Sequence, residues 1–340
     1  MVELAGGLGY NNADASFTGP GRTPWNREFW SGGSSSGPGA AVAAGLVPFA
    51  IGSETSGSIL TPAAFSGVSG LRPTYGRVSR HGAMALSYTL DKLGPMARSA
   101  DDCGLVLAAI AGVDPQDAST VAEPFAYPEL AAPKRFRIGV VKGSYEKVQP
   151  EVRKSFEASL AVLKSFADLD EVELPDFPYG PAVSTIVGAD AASAFRGLIE
   201  SGEVKKLRAV RDRTGGYAAS MILAVDYLQA MRLRGPVKRA LDALFASRDA
   251  LVSPSRASVA YPIGVDFDKV YPDVVSGPAL IPAGNLAGLP ALAVPNGFGP
   301  NGLPTGLAFL GRAFSEARLV SLGAAYQSRT DWHARRPPGF

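Results

Sequence analysis

The clearest hydrophobic pattern lies between residues 151 and 169. Val152, Phe156, Leu160 and Leu163 recur at four, four and three positions while Arg153, Lys154, Glu157 and Lys164 take the other faces, which predicts an amphipathic helix. Just before it, FRIGVV at 136–141 is a short apolar run that predicts a strand. The same reading predicts strands at ALVSPS (250–255), ALAVPN (291–296) and GLAFLG (306–311), and helices at about 181–201, 216–247 and 315–327. Nearer the start, Ser99 followed by Asp101, Asp102 and LVLAAIAG reads as a capped helix closed by Gly112. Pro38 with AAVAAG predicts a short helix over about 38–46, stopped by Gly45. Val47 to Ile51 then reads as a compact buried strand that delivers the chain to GSETSGSI, so Ser58 falls just beyond a strand end. Residues 1–37 read as loops with short extended pieces. Strands and helices in alternation predict an α/β class with a layered sheet, and no motif recurs at a fixed spacing.

Composition narrows the function classes. The 340 residues are 46% apolar and 19% charged, an ordinary globular balance that argues against disorder. A net charge of +2, with no long basic run, gives no reason to expect nucleic acid as a partner. The lone cysteine, Cys103, has no internal disulfide partner, and no secretory leader is evident, so a reducing cytoplasm is the expected compartment. Residues 29–53 carry no charge, but serines, prolines and glycines interrupt them, so they are read as buried and not as a membrane span. No metal-ligand or cofactor motif is present, and none is expected.

Two clusters of small residues stand out, GGSSSGPG at 32–39 and GSETSGSI at 52–59, and either alone reads most simply as a loop. Gly32 and Gly37 have the glycine spacing of a phosphate-binding loop, but Pro38 and Gly39 stand where its lysine and hydroxyl residue belong. Residues 33–37 fit GxSxG, with His333 late in the chain, yet TPWNREFWS before them is no buried strand. Ser144 to Lys147 fits SxxK, but Gly143 and Pro150 crowd it, no KTG follows, and it reads as a surface loop.

Taken together with TPWN before them and GVSGLRPTYGRVSRHG and TLDKLGPMARSADD after, the two clusters resemble the amidase signature. The likeness continues through YLQAMRLR (227–234), ALVSPS, GNLAGLPALAVPNGF (284–298), GLPTGLAFLG (302–311) and QSRTDWH. The resemblance implies one domain over 1–340, with a signature core at 24–112, a variable helical region at 145–247, and a mixed sheet covered by helices on both faces. It implies that Ser58 is the nucleophile, that Ser34, 24 residues earlier, follows a cis peptide bond and relays its proton, and that Gly33, Ser35 and Ser36 support that turn. It assigns the oxyanion donors to the amides of Thr55, Ser56, Gly57 and Ser58. Chemistry agrees with such a set. A serine hydroxyl is a weak nucleophile and needs a base within reach, and backbone amides among small residues can converge on a developing oxyanion.

The chain departs from the family at Glu54, Ser56 and Leu60, where aspartate, glycine and often arginine are usual. Ser56 is the mildest change, since a backbone donor survives a new side chain; Glu54 and Leu60 leave any acid and arginine pairing beneath the nucleophile unsupported. The family's base is a lysine upstream of the first cluster, and none of the residues before Ser34 is lysine. The N-terminal portion is therefore expected to be missing, with apolar surface exposed, hydrolysis weakened, and a homo-oligomer or partner chain covering the open face. Lys92, His81 and His333 are substitute bases on paper; Lys92 reads as a solvated charge and His81 as a loop residue. The leading expectation is a hydrolase of amides, and of activated esters, acting on a small molecule. The alternatives are the amidase component of a tRNA-dependent amidotransferase complex, which the sequence also resembles, and an inactive acyl-binding remnant.

Overall fold

A computed structural model describes residues 3–4, 13–128, 133–274 and 280–340; most of residues 1–12, part of the predicted loop region, lies outside them. The chain runs β1 (Arg22–Thr23), β2 (Asn26–Trp30), α1 (Ser36–Ala43), β3 (Phe49–Glu54), α2 (Leu60–Ser66), β4 (Ser69–Arg72), β5 (Lys92–Ala97) and α3 (Ala100–Ile110). It continues with β6 (Phe136–Val141), α4 (Pro150–Lys164), β7 (Ala167–Val172), α5 (Tyr179–Ala194), α6 (Arg196–Glu200), α7 (Val210–Ala219) and α8 (Ala224–Leu244). It closes with β8 (Ala250–Pro254), α9 (Phe267–Val270), α10 (Leu280–Ala287), β9 (Ala291–Phe298), β10 (Pro304–Leu310) and α11 (Glu316–Gln327).

β1 and β2 form a short ribbon, and the other eight strands form one mixed sheet in the order β3-β5-β4-β9-β10-β8-β6-β7. Pairing is antiparallel from β3 to β8 and parallel where β6 meets β8 and β7. The helices cover both faces because the central strands are apolar on both sides. In β9, Ala291 and Ala293 join the core made with α1, α2, α5, α8 and α10, while Leu292 and Val294 join the core made with α3, α4 and α11. In β8, Leu251 faces the first core, and Ala250 and Val252 face the second. This is the period-two alternation of a strand buried on both faces.

The predicted strand 136–141 forms with those limits, and the helix predicted from Ser99 carries a full capping box, the Ser99 hydroxyl accepting from the Asp102 amide. The helix expected over 151–169 ends at Lys164, because the chain turns into β7, which pairs with β6. β3 corrects the expectation of a buried strand. It lies at one end of the sheet order, with Phe49 46% and Ile51 39% exposed and Leu46 and Val47 exposed beside them. No helix among the described residues is long and apolar enough to cross a membrane.

Candidate active site

Both serine clusters lie at the ends of short elements that meet beside β3. The first turns into α1, and the Gly33–Ser34 peptide is cis, as the resemblance implies. The second leaves β3 and enters α2. They are joined by the Ser35 N–H donating to the Ser58 carbonyl at 3.1 Å. The Ser35 hydroxyl donates to the Ser53 carbonyl at 3.2 Å and accepts from the Ser53 N–H at 3.1 Å, and the Ser36 hydroxyl donates to the Gly32 carbonyl. Ser35 and Ser36 therefore fasten the turn, and Ser34 lines a cavity of about 200 Å³. Gly32 is required here: its φ of +82° disfavours a side chain, and a Cβ would meet the Cα of Pro62 at 2.7 Å. Gly57, at φ +93°, imposes the same demand next to Ser58. Among the described residues, positive φ outside glycine occurs only at Asn301 and Phe314, so Ser56 takes its position without backbone strain.

The turn from Glu54 into α2 sorts its backbone amides. The N–H groups of Ile59 and Leu60 donate to the Glu54 carboxylate at 2.9 and 3.1 Å. Among the described residues, the N–H groups of Ser56, Gly57 and Ser58 have no protein acceptor. Unpaired amides at the head of a helix can hold a developing oxyanion. Thr55 is fixed from the other side, its hydroxyl donating at 2.6 Å to Asp91, whose second oxygen accepts the amides of Leu86 and Ser87 at 2.8 and 3.0 Å.

Beneath this turn the structure restores the acid and arginine pair that the sequence left unsupported. Arg72, on β4, donates to Glu54 at 2.8 Å with both side chains fully buried, and Asn285 on α10 donates to the same oxygen at 2.9 Å. Burial alone would raise the Glu54 carboxyl, but the Arg72 charge and the hydrogen bonds outweigh it and hold the group at about 2. Arg72 and Asn285 went unrecognised in the sequence because their relation to Glu54 is set by strand and helix packing alone.

Lys92 is also corrected: it is buried, not a solvated charge. It stands opposite Glu54 in the β3–β5 register and donates to the Leu90 carbonyl. Burial, then the Arg72 charge, push its amine down to about 7; Glu54 and Asp91 pull upward, and Arg234 adds to the depression. Between pH 7 and 10.5 the unfolded chain therefore binds a proton that the folded chain does not, so stability rises with pH through that window. The expected slope is up to about 1.4 kcal/mol per pH unit. Lys92→Met should flatten it and raise stability at pH 7; urea unfolding at pH 7 and 9.5 measures both. His333 lies elsewhere, half-buried, its carbonyl accepting from Arg98, with burial and the Arg98 charge lowering its imidazole. His81 lines the same cavity as Ser34. Ser144 and Lys147, the SxxK pair, line a different crevice beyond the ends of β6 and β7.

A serine turn behind a cis peptide, set against open amides on the turn into α2, suits chemistry at an acyl carbon. The Amidase family profile matches residues 6–320, and the chain belongs to that family. A glutamyl-tRNA(Gln) amidotransferase subunit of Roseiflexus sp. (strain RS-1) is 38% identical over 343 residues, spanning 93% of this chain and 70% of that protein. Among solved structures, the corresponding glutamyl-tRNA(Gln) amidotransferase subunit from Thermotoga maritima superposes with a TM-score of 0.78 at 31% identity, covering 92% of this chain and 69% of that one. Native peptide amidase from Stenotrophomonas maltophilia gives 0.81 at 34% identity, covering 98% and 72%.

Proposed function

We propose that the chain cleaves a carboxamide through a seryl acyl-enzyme at Ser58, with Ser34 relaying the proton and the amides of Ser56, Gly57 and Ser58, beside Thr55, receiving the oxyanion. The observation that carries this reading is the bond from the Ser35 N–H to the Ser58 carbonyl, which holds the two serine turns against each other beside the unpaired amides. Within that chemistry, the amidotransferase relatives favour an amidase component that works in an assembly and passes the released nitrogen to a partner. The uncharged, exposed edge of β3 offers such a partner a place to dock. A free-standing amidase is the second reading, favoured by the likeness to the peptide amidase.

A fluorophosphonate probe tests the shared chemistry. Mass spectrometry should find the adduct on Ser58, and a chain that stays unlabelled there sinks the seryl reading. Copurification then separates the two settings. A second chain that binds and raises amide turnover supports the assembly, whereas a lone chain that turns over aryl amides at full rate supports the free amidase.

A further inference from the structure

Resting on that reading, we propose that Arg234 on α8 is a positioning residue that ties together the two supports of the oxyanion turn, so that α8 sets where its open amides point. The turn from Glu54 to Leu60 is braced from two sides. On one, Glu54 accepts the amides of Ile59 and Leu60 and is itself held by Asn285 of α10 at 2.9 Å. On the other, Asp91 accepts the Thr55 hydroxyl at 2.6 Å together with the amides of Leu86 and Ser87. These supports belong to segments far apart in the chain, and Arg234 joins them. Its Nε donates to the Leu286 carbonyl at 3.0 Å, next to Asn285, and its Nη2 donates to the Thr89 carbonyl at 3.2 Å, two residues before Asp91. One planar fork therefore spans both supports, a geometry that the point charge of a lysine does not reproduce. Leu286 lies in the last turn of α10, where a carbonyl lacks an intrahelical partner and a cation is favoured.

The sequence of α8 sets this aim. Tyr227, Ala230, Arg234, Val237 and Leu241 recur three or four positions apart and so share one stripe of the helix. Ala230, Val237 and Leu241 are buried in the core that also holds Ile281 and Leu286 of α10, which anchors the stripe while Arg234 stays half-buried. Tyr227, two turns before Arg234, supplies a second tether. Its hydroxyl donates to Asp190 of α5 at 3.1 Å, and the other Asp190 oxygen accepts the Ser87 hydroxyl at 2.6 Å. The segment from Leu86 to Asp91 is thus fastened toward α8 at Ser87 and Thr89, and to the oxyanion turn through Asp91.

Oxyanion donors act by placement, and an error of about 1 Å can cost on the order of a hundredfold in rate. Removing Arg234 leaves Glu54 and Thr55 with their direct partners but lets α10 and the Leu86–Asp91 segment shift against each other. The bonds of the turn persist while its alignment is lost. The effect therefore falls on the transition state and spares substrate binding.

The test measures kcat and KM for a nitrophenyl ester, and Ki for a trifluoromethyl ketone whose serine adduct puts an alkoxide among the amides, with wild type, Arg234→Ala, Arg234→Lys and Val237→Ala. Arg234→Ala should lower kcat roughly 10–100-fold with KM little changed, and weaken the ketone by a similar factor. Arg234→Lys, able to reach one carbonyl at a time, should fall between, and it carries the test if the alanine variant does not fold. Val237→Ala removes core packing from the same helix but no hydrogen bond, and should keep kcat near that of wild type. The assignment is overturned by wild-type kcat and ketone affinity in either Arg234 variant, or by a kcat loss that leaves ketone affinity unchanged. It is also overturned if Val237→Ala, at an equal urea midpoint, loses as much kcat as Arg234→Ala. In each of these cases fluorophosphonate labelling of Ser58 keeps the seryl reading, whereas a wild type that neither labels at Ser58 nor turns over the ester overturns both.

Discussion

Replacing Ser58 with alanine is expected to cut turnover of a nitrophenyl ester and an aryl amide by on the order of a thousandfold or more, with the fold intact. The rate should collapse because the nucleophile and its proton path act as one unit, so removing the attacking oxygen idles Ser34 and whatever base follows it. A small residual rate over water should persist, since the open amides of Ser56 and Gly57 survive the change. The fold should hold because Ser58 contributes its carbonyl, not its hydroxyl, to the bond with Ser35. Equal rates for Ser58→Ala and the parent on both substrates would remove Ser58 from the chemistry altogether.

Glu54→Ala should be the most destabilising of the substitutions considered, by roughly 3–5 kcal/mol in urea unfolding. It leaves the buried Arg72 charge without its carboxylate and strips the acceptor from the amides of Ile59 and Leu60 and from Asn285. Against a typical total of about 5–15 kcal/mol, that loss is large. A double replacement, Glu54→Leu with Arg72→Met, should lose markedly less than the single change, since it removes both charges together. If the double variant is no more stable than Glu54→Ala, the unpaired charge is not the cause. The pair also has a pH signature. The Glu54 carboxyl sits near 2 in the fold against an ordinary 4.5, so its contribution is complete above 4.5 and drains away as pH falls toward 2.

What the sequence disclosed, and what it withheld, follows from how local each signal is. β6 and the helix after Ser99 were legible because a short apolar run and a capping serine are local patterns. β7 was not, since Phe166 and Ala167, three and four positions after Leu163, continue the spacing of the preceding helix, and only pairing with β6 makes ADLDEV a strand. β5 carries Gly94 and Pro95, residues that disfavour a strand interior; in the fold Gly94 is needed because a Cβ there would lie 2.1 Å from the Leu71 carbonyl. In the site, the two serines were picked out by the family resemblance of the segments around them, and the cis Gly33–Ser34 peptide which that resemblance implies is present. The burial of Lys92, the Arg72 partnership and the Asp91 brace on Thr55 were not, because each depends on strands that meet across a long stretch of chain.

The two ends of the sheet differ in a way that governs how copies of the chain can meet. β7 ends it with Asp168 and Asp170, paired to Arg135 and Arg248, and with Glu171, and charged groups along a border strand discourage a further strand from pairing there. β3, at the other end, bears no charge before Glu54 and presents Phe49 and Ile51 to solvent. Two molecules joined border to border through β3 would leave only the charged β7 borders outward, so the union stops at a pair and does not propagate into a fibre.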